Sequence, residues 1–128
     1  MAQAPFQQLR AADQRGSVLT KATLRAGDAL GLRGSELAEI LGLSSPTISR
    51  MRKGSYALAE GKKEFELAAL FVRFFRSLDA IAGGDEAVRR RWMRGENKAL
   101  GTTPAELIKT ISGLTNGLAY LDARRAPL

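Results

Sequence analysis

Apolar residues recur along the chain three and four positions apart, and the apolar/polar alternation that marks strands is missing. Residues 1–16, with Pro5, several glutamines and a closing Gly16, read as a flexible N-terminal arm. Ala22, Ala26, Ala29 and Leu30 then mark a helix over about 20–30 that Gly31 ends. Two short helices follow, at about 35–41 and 46–53, with Gly42 between them. The stretch 55–63, poor in bulky apolar residues apart from Tyr56 and Leu58, reads as a linker. From 64 to 82, Leu67, Phe71, Phe74, Phe75, Leu78 and Ile81 form the wide stripe of an amphipathic helix, stopped by Gly83-Gly84. The next helix opens acidic, at Asp85 and Glu86, and closes basic, through Arg89, Arg90, Arg91 and Arg94, which suits the helix dipole. Thr103-Pro104-Ala105-Glu106 has the form of a capping box; its helix is expected to reach Gly113, with a last helix to about Arg125. The pattern predicts an all-α chain, in which a helical N-terminal half (17–63) and a small helical C-terminal half (64–128) share a core through the long helix.

The run GSELAEILGLSSPTISRMRK, residues 34–53, is the most specific local signal, because it fits a helix-turn-helix. Two helices crossing steeply need a small residue at their contact, supplied by Ala38, and a turn residue tolerant of positive φ, supplied by Gly42. Leu37, Leu41, Leu43, Ile48 and Met51 provide the apolar side, while Ser45 is placed to cap the second helix and Pro46 to open it. With Ile48 and Met51 inward, Ser49, Arg50 and Lys53 point outward, and Ser44, Ser45 and Thr47 lie near the helix N-terminus. These residues, with Arg52, are the candidate DNA contacts. Arg50 suits two-pronged pairing with guanine, the short hydroxyls suit phosphates or base edges, and Arg52 and Lys53 suit phosphates. The plainer reading is an α-hairpin with no DNA.

Composition narrows the chemistry. The 128 residues include no histidine and no cysteine, which removes the imidazole base, the thiolate nucleophile, disulfides and the usual zinc ligands. No enzyme, metal or cofactor is therefore expected. The net charge of +7, from 20 basic and 13 acidic residues, suits a polyanionic partner such as nucleic acid. It is spread along the chain, with 10 basic and 6 acidic residues up to Glu64 and 10 and 7 beyond. Neither a secretory leader nor a membrane span is expected, and the cysteine-free chain suits the cytoplasm.

Several residues carry a plain and a sharp reading. Trp92, four residues after Val88, is expected in the core rather than at an interface. The phenylalanine stripe serves the core and, on its other edge, a possible dimer seam. The arginine run 89–91 with Arg94 reads as a solvated face. Glu36 and Glu39, three apart on one helix, read as ordinary surface carboxylates.

From about Val18 to Arg125 the chain resembles the Xre-type antitoxins with a C-terminal toxin-binding domain, the MbcA/ParS/Xre group. The resemblance rests on the helix-turn-helix, on Phe74-Phe75-Arg76-Ser77-Leu78, and on Trp92, Asn97, Leu100, Gly101, Pro104, Leu107, Ile108 and Gly113, followed by Tyr120-Leu121-Asp122. It implies a cytoplasmic type II antitoxin that dimerises, binds its own operator DNA, and covers the active site of a RES-type toxin that consumes NAD or transfers ADP-ribose. It places the toxin contact at the chain's end, on Tyr120, Asp122, Arg124, Arg125 and Leu128. The end departs from the family's pattern: Thr115, Asn116 and Gly117 stand where β-branched residues are usual. With Gly117 costing about 1 kcal/mol relative to alanine, the last helix is expected to fray until a toxin binds. Removing everything after Gly113 is then expected to leave the fold of residues 18–82 intact. The alternative reading is a stand-alone Xre-like repressor whose C-terminal half dimerises or senses a ligand.

Overall fold

The computed structural model describes residues 3–125, with side chains from residue 13 onward. It contains α1 (Gln3–Ala29), α2 (Gly34–Leu41), α3 (Ser45–Lys53), α4 (Lys63–Ala82), α5 (Glu86–Arg94), α6 (Pro104–Leu107) and α7 (Ile111–Arg125). Among the described residues the sole extended pairing is one bridge between Asn97 and Thr102.

The phenylalanine stripe makes α4 the central element. Phe71 and Phe74 are fully buried, and α4 touches α1, α2, α5 and α7. On one side it meets Ala26, Leu30, Leu37 and Leu41; on the other, Leu114, Leu118 and Leu121 of α7 join the same core. Phe71 and Phe74 therefore serve the core, while Phe75 at the edge of the stripe stays partly exposed.

Three element boundaries differ from the sequence reading. The first helix begins at Gln3, so residues 3–16 are helical rather than a loose arm. Gly16 does not end that helix; it is where the 55–62 segment crosses it. A Cβ at Gly16 would stand 2.1 Å from the Leu58 carbonyl oxygen. Beside it, Thr20 Oγ1 donates to the Gly16 carbonyl (2.6 Å) and accepts from the Leu58 amide (2.9 Å). The supposed linker is thus strapped down, with Leu58 buried and Arg15 ion-paired to Glu60.

Helix α3 starts one residue earlier than expected. Ser44, not Ser45, is its cap, accepting from the Thr47 amide at 3.2 Å, and Pro46 lies within the first turn. Gly42 closes α2 at φ 69°, the left-handed conformation the turn requires.

Finally, the helix opened by Thr103 ends at Leu107, and Gly113 sits inside the first turn of α7 rather than at a helix end. The reason is contact: a Cβ at Gly113 would fall 1.8 Å from the Leu107 carbonyl oxygen. Thr110 Oγ1 accepts from the Gly113 amide at 3.0 Å, so the hydroxyl starts α7 where the backbone of α6 stops. Helix α7 is continuous to Arg125, and Gly117 lets it lie against Phe74, whose Cε2 would be 3.2 Å from an added Cβ. The glycine that weakens this helix in isolation is the one that seats it.

Candidate functional site

The helix-turn-helix presents its outer face as the wheel of α3 requires. Ile48 and Met51 are buried, as are Leu37, Ala38 and Leu41 of α2, with Leu43 half-buried beside them. Ser44, Ser45, Ser49, Arg50, Arg52 and Lys53 are exposed.

Thr47 departs from the expected groove-facing position, being only 8% exposed. Its hydroxyl lies 2.8 Å from Ser44 Oγ and accepts from Arg50 Nη2 at 2.9 Å. This draws the Arg50 guanidinium back along the helix toward its N-terminus. That is the direction helical side chains favour, and it reduces the rotamer freedom a base contact would otherwise have to remove. Arg52 is also engaged, in a two-pronged contact with Asp28 at 3.0 and 3.3 Å that ties the end of α3 to α1. The Arg52–Asp28 contact is not visible to local periodicity, because it spans 24 positions.

At the other end of the molecule the candidate partner residues form two clusters on α7. Asp122 accepts from Arg73 Nη2 (2.9 Å) and Ser77 Oγ (3.0 Å), and Arg125 donates to the same Ser77 oxygen at 3.1 Å. These contacts hold the end of α7 on α4. Tyr120 is half-buried, and the Arg124 guanidinium lies 4.5 Å from its ring centroid. Leu128 lies outside the described residues.

The arginines of α5 are solvated at 90, 91 and 94, as expected, but Arg89 is buried and Arg90 and Arg94 also tie α5 to neighbouring elements. Arg89 is buried, ion-paired to Asp79 at 2.6 Å and set 5.6 Å from the Phe75 ring centroid. Arg90 pairs with Glu86 and donates to the Asp28 carbonyl at 2.8 Å. Arg94 reaches furthest: Nη1 to Glu36 Oε2 (2.6 Å), and Nη2 to Glu36 Oε1 and to the Gly31 carbonyl (both 2.8 Å).

Glu36 is therefore no surface carboxylate. It is 2% exposed, and it also accepts from the Arg33 amide at 2.9 Å. The hydrogen bond from Arg94 lowers its pKa to about 2 against the opposing effect of burial, helped by the Arg33 amide and by both arginine charges. Glu39, by contrast, stays exposed.

The remaining residues of the C-terminal pattern build the scaffold. Asn97 Oδ1 accepts from the Leu100 amide (3.2 Å) in the turn between α5 and α6, Gly101 takes φ 80°, and Pro104 and Ile108 are buried. Trp92 is half-buried, its ring centroid 6.2 Å from that of Phe74, with one side on the core. Among the described residues no helix is long and apolar enough to cross a membrane.

Comparison with known families agrees with this geometry. Residues 9–73, just over half of the chain, match the antitoxin Xre-like helix-turn-helix domain, and residues 77–126 match the antitoxin Xre/MbcA/ParS C-terminal toxin-binding domain. The two matches meet within α4, the helix whose aromatic residues serve both halves. Neither is an enzyme family. No curated protein matches the chain. Together the two matches cover residues 9–126 but for three positions within α4, and the chain belongs to the Xre/MbcA/ParS-type antitoxins.

Proposed function

We propose that this antitoxin neutralises a cognate RES-type toxin in the cytoplasm by covering its active site, and that it represses its own operon by binding operator DNA. The match of residues 77–126 to a toxin-binding domain, joined to a helix-turn-helix through one shared core, carries the reading. Ser44, Ser45, Ser49 and Lys53 face the DNA with Arg50 as the base-reading side chain, while Thr47 positions Arg50 and Arg52 serves α1 and phosphate together. The exposed side of α7, with Tyr120 and Arg124, faces the toxin. Asp122 and Arg125 hold that surface in place through Ser77. The operator-bound form is a homodimer reading two half-sites one DNA turn apart, about 34 Å. An exposed Val18 (67%) beside the cleft between α1 and α4 supports a second copy there.

The test is co-expression with the product of the neighbouring reading frame, with cellular NAD as the readout. NAD loss from the neighbour alone, restored when this chain is present in a co-purifying complex, is the expected result. A chain that binds its promoter yet neither captures the neighbour nor restores NAD overturns the antitoxin reading and leaves a repressor.

A further inference from the structure

Apolar side chains scattered over a surface mean little, but those that meet in one concave place mark a binding site. Ile81 and Val88 are 45% and 42% exposed, and both line a cleft of about 190 Å³ between the end of α4, α5 and α7, together with Trp92 and Tyr120. Val88 and Trp92 also line a second cleft of about 310 Å³, so the two clefts adjoin at these side chains and make one grooved surface over α5. The indole of Trp92 is held from behind by Phe74, and the Tyr120 ring is held by Arg124. The aromatic centre of the groove is therefore ordered before anything binds, which lowers the entropy a partner must overcome.

The charge on the rim limits what fits. On α5 and α7, Arg89, Arg90 and Arg94 are paired with Asp79, Glu86 and Glu36, and Arg125 donates to Ser77. Arg91 and Arg124 have no carboxylate partner among the described residues, and Arg91 lines one cleft while Arg124 lines the other. One carboxylate, Glu96, stands in the second cleft with Arg91. An apolar floor, aromatic anchors and unpaired arginines at the edge have the composition of a protein-binding hot spot.

We infer that this groove is the seat of the toxin, and that it takes a toxin segment with an apolar ridge flanked by carboxylates. The ridge fills the space over Trp92 and Tyr120, and the carboxylates pair with Arg91 and Arg124. The inference rests on the antitoxin reading above and adds to it the surface and the chemistry of the partner. Its six residues all lie within the stretch matched to the toxin-binding family, and four of them come from α4 and α5 rather than from the end of the chain.

The test uses the full chain and the tagged product of the neighbouring reading frame, with dissociation constants measured on the immobilised tagged protein. Ile81→Asp/Val88→Asp puts carboxylates at exposed floor positions, and Arg91→Glu/Arg124→Glu reverses the rim. Each is expected to weaken binding by about 30-fold or more while promoter affinity and thermal unfolding stay as in the wild type. Arg91→Lys/Arg124→Lys, which keeps the charge, is expected to retain most of the affinity. Should Ile81→Asp/Val88→Asp fail to fold, the rim variants decide. Wild-type binding that the folded variants leave unchanged overturns the groove and spares the antitoxin reading. A wild type that does not bind at all overturns the antitoxin reading, and the groove with it.

Discussion

Arg50 shows how much of a site one residue's neighbours decide. Its outward direction follows from the spacing of Ile48 and Met51, but its bond to Thr47 comes from a hydroxyl that the wheel assigns to DNA. Arg50→Ala is expected to weaken specific operator binding by about 1–3 kcal/mol and to leave toxin capture unchanged, in a titration at fixed salt. Thr47→Val keeps the shape and removes the acceptor, so it should give a smaller loss of affinity with the base preference at the same position relaxed. Glu36 teaches the converse, because its burial depends on an arginine 58 positions away that no local pattern connects to it. Its carboxyl titrates at about 2 when folded and near 4.3 when unfolded, so the stabilisation is fully present above the unfolded value and lost as pH falls through the folded one. A shift of that size corresponds to about 3 kcal/mol. Wild-type unfolding free energy is expected to drop between about pH 5 and 2, whereas Glu36→Gln should start lower and show a flatter dependence there, measured by urea titration at several pH values.

Most helix ends were legible in the sequence where a side chain or a glycine acts within one turn, the cap of α3 lying one residue earlier than read. Asp85 and Thr103 cap their helices as their positions suggest, and Gly31, Gly54 and Gly83 take positive φ just past helix ends. The misread boundaries at Gly16 and Gly113 share one physical cause: both glycines are helical and owe their identity to a backbone carbonyl from another element. A residue type chosen for close approach looks the same in sequence as one chosen for a turn. The two uses differ in their response to alanine. At a helical glycine in open space, alanine stabilises by about 1 kcal/mol. Here Gly16→Ala and Gly113→Ala meet carbonyl oxygens at 2.1 and 1.8 Å, so both are expected to lower the thermal midpoint, measured by circular dichroism. A raised midpoint in either would mean that the contact yields and that the glycine is a helix-breaking relic.

At the scale of the molecule, the two halves share one hydrophobic core. The aromatic rings of α4 receive α1 and α2 on one side and α7 on the other, and the α5 arginines fasten the C-terminal half to Asp28, Gly31 and Glu36. The candidate DNA residues, on α3 and its cap, and the described candidate toxin residues of the chain's end, on α7, were readable as two sets because each is contiguous in the sequence. Their connection was legible only in part: the apolar stripe of α4 pointed to the shared core, but the ion pairs between distant positions leave no local trace. This changes what truncation does. A chain ending at Gly113 loses Leu114, Leu118 and Leu121, all buried against the core around Phe74. At about 2–5 kcal/mol for each deleted leucine, their combined loss is of the same size as the about 5–15 kcal/mol that holds a typical domain together. The shortened chain is therefore expected to lose operator binding along with toxin capture and to unfold without a cooperative transition, rather than to survive as a free helix-turn-helix. Cooperative melting of the truncated chain with intact promoter affinity would show instead that α1 to α4 fold alone and that α7 is an appendage.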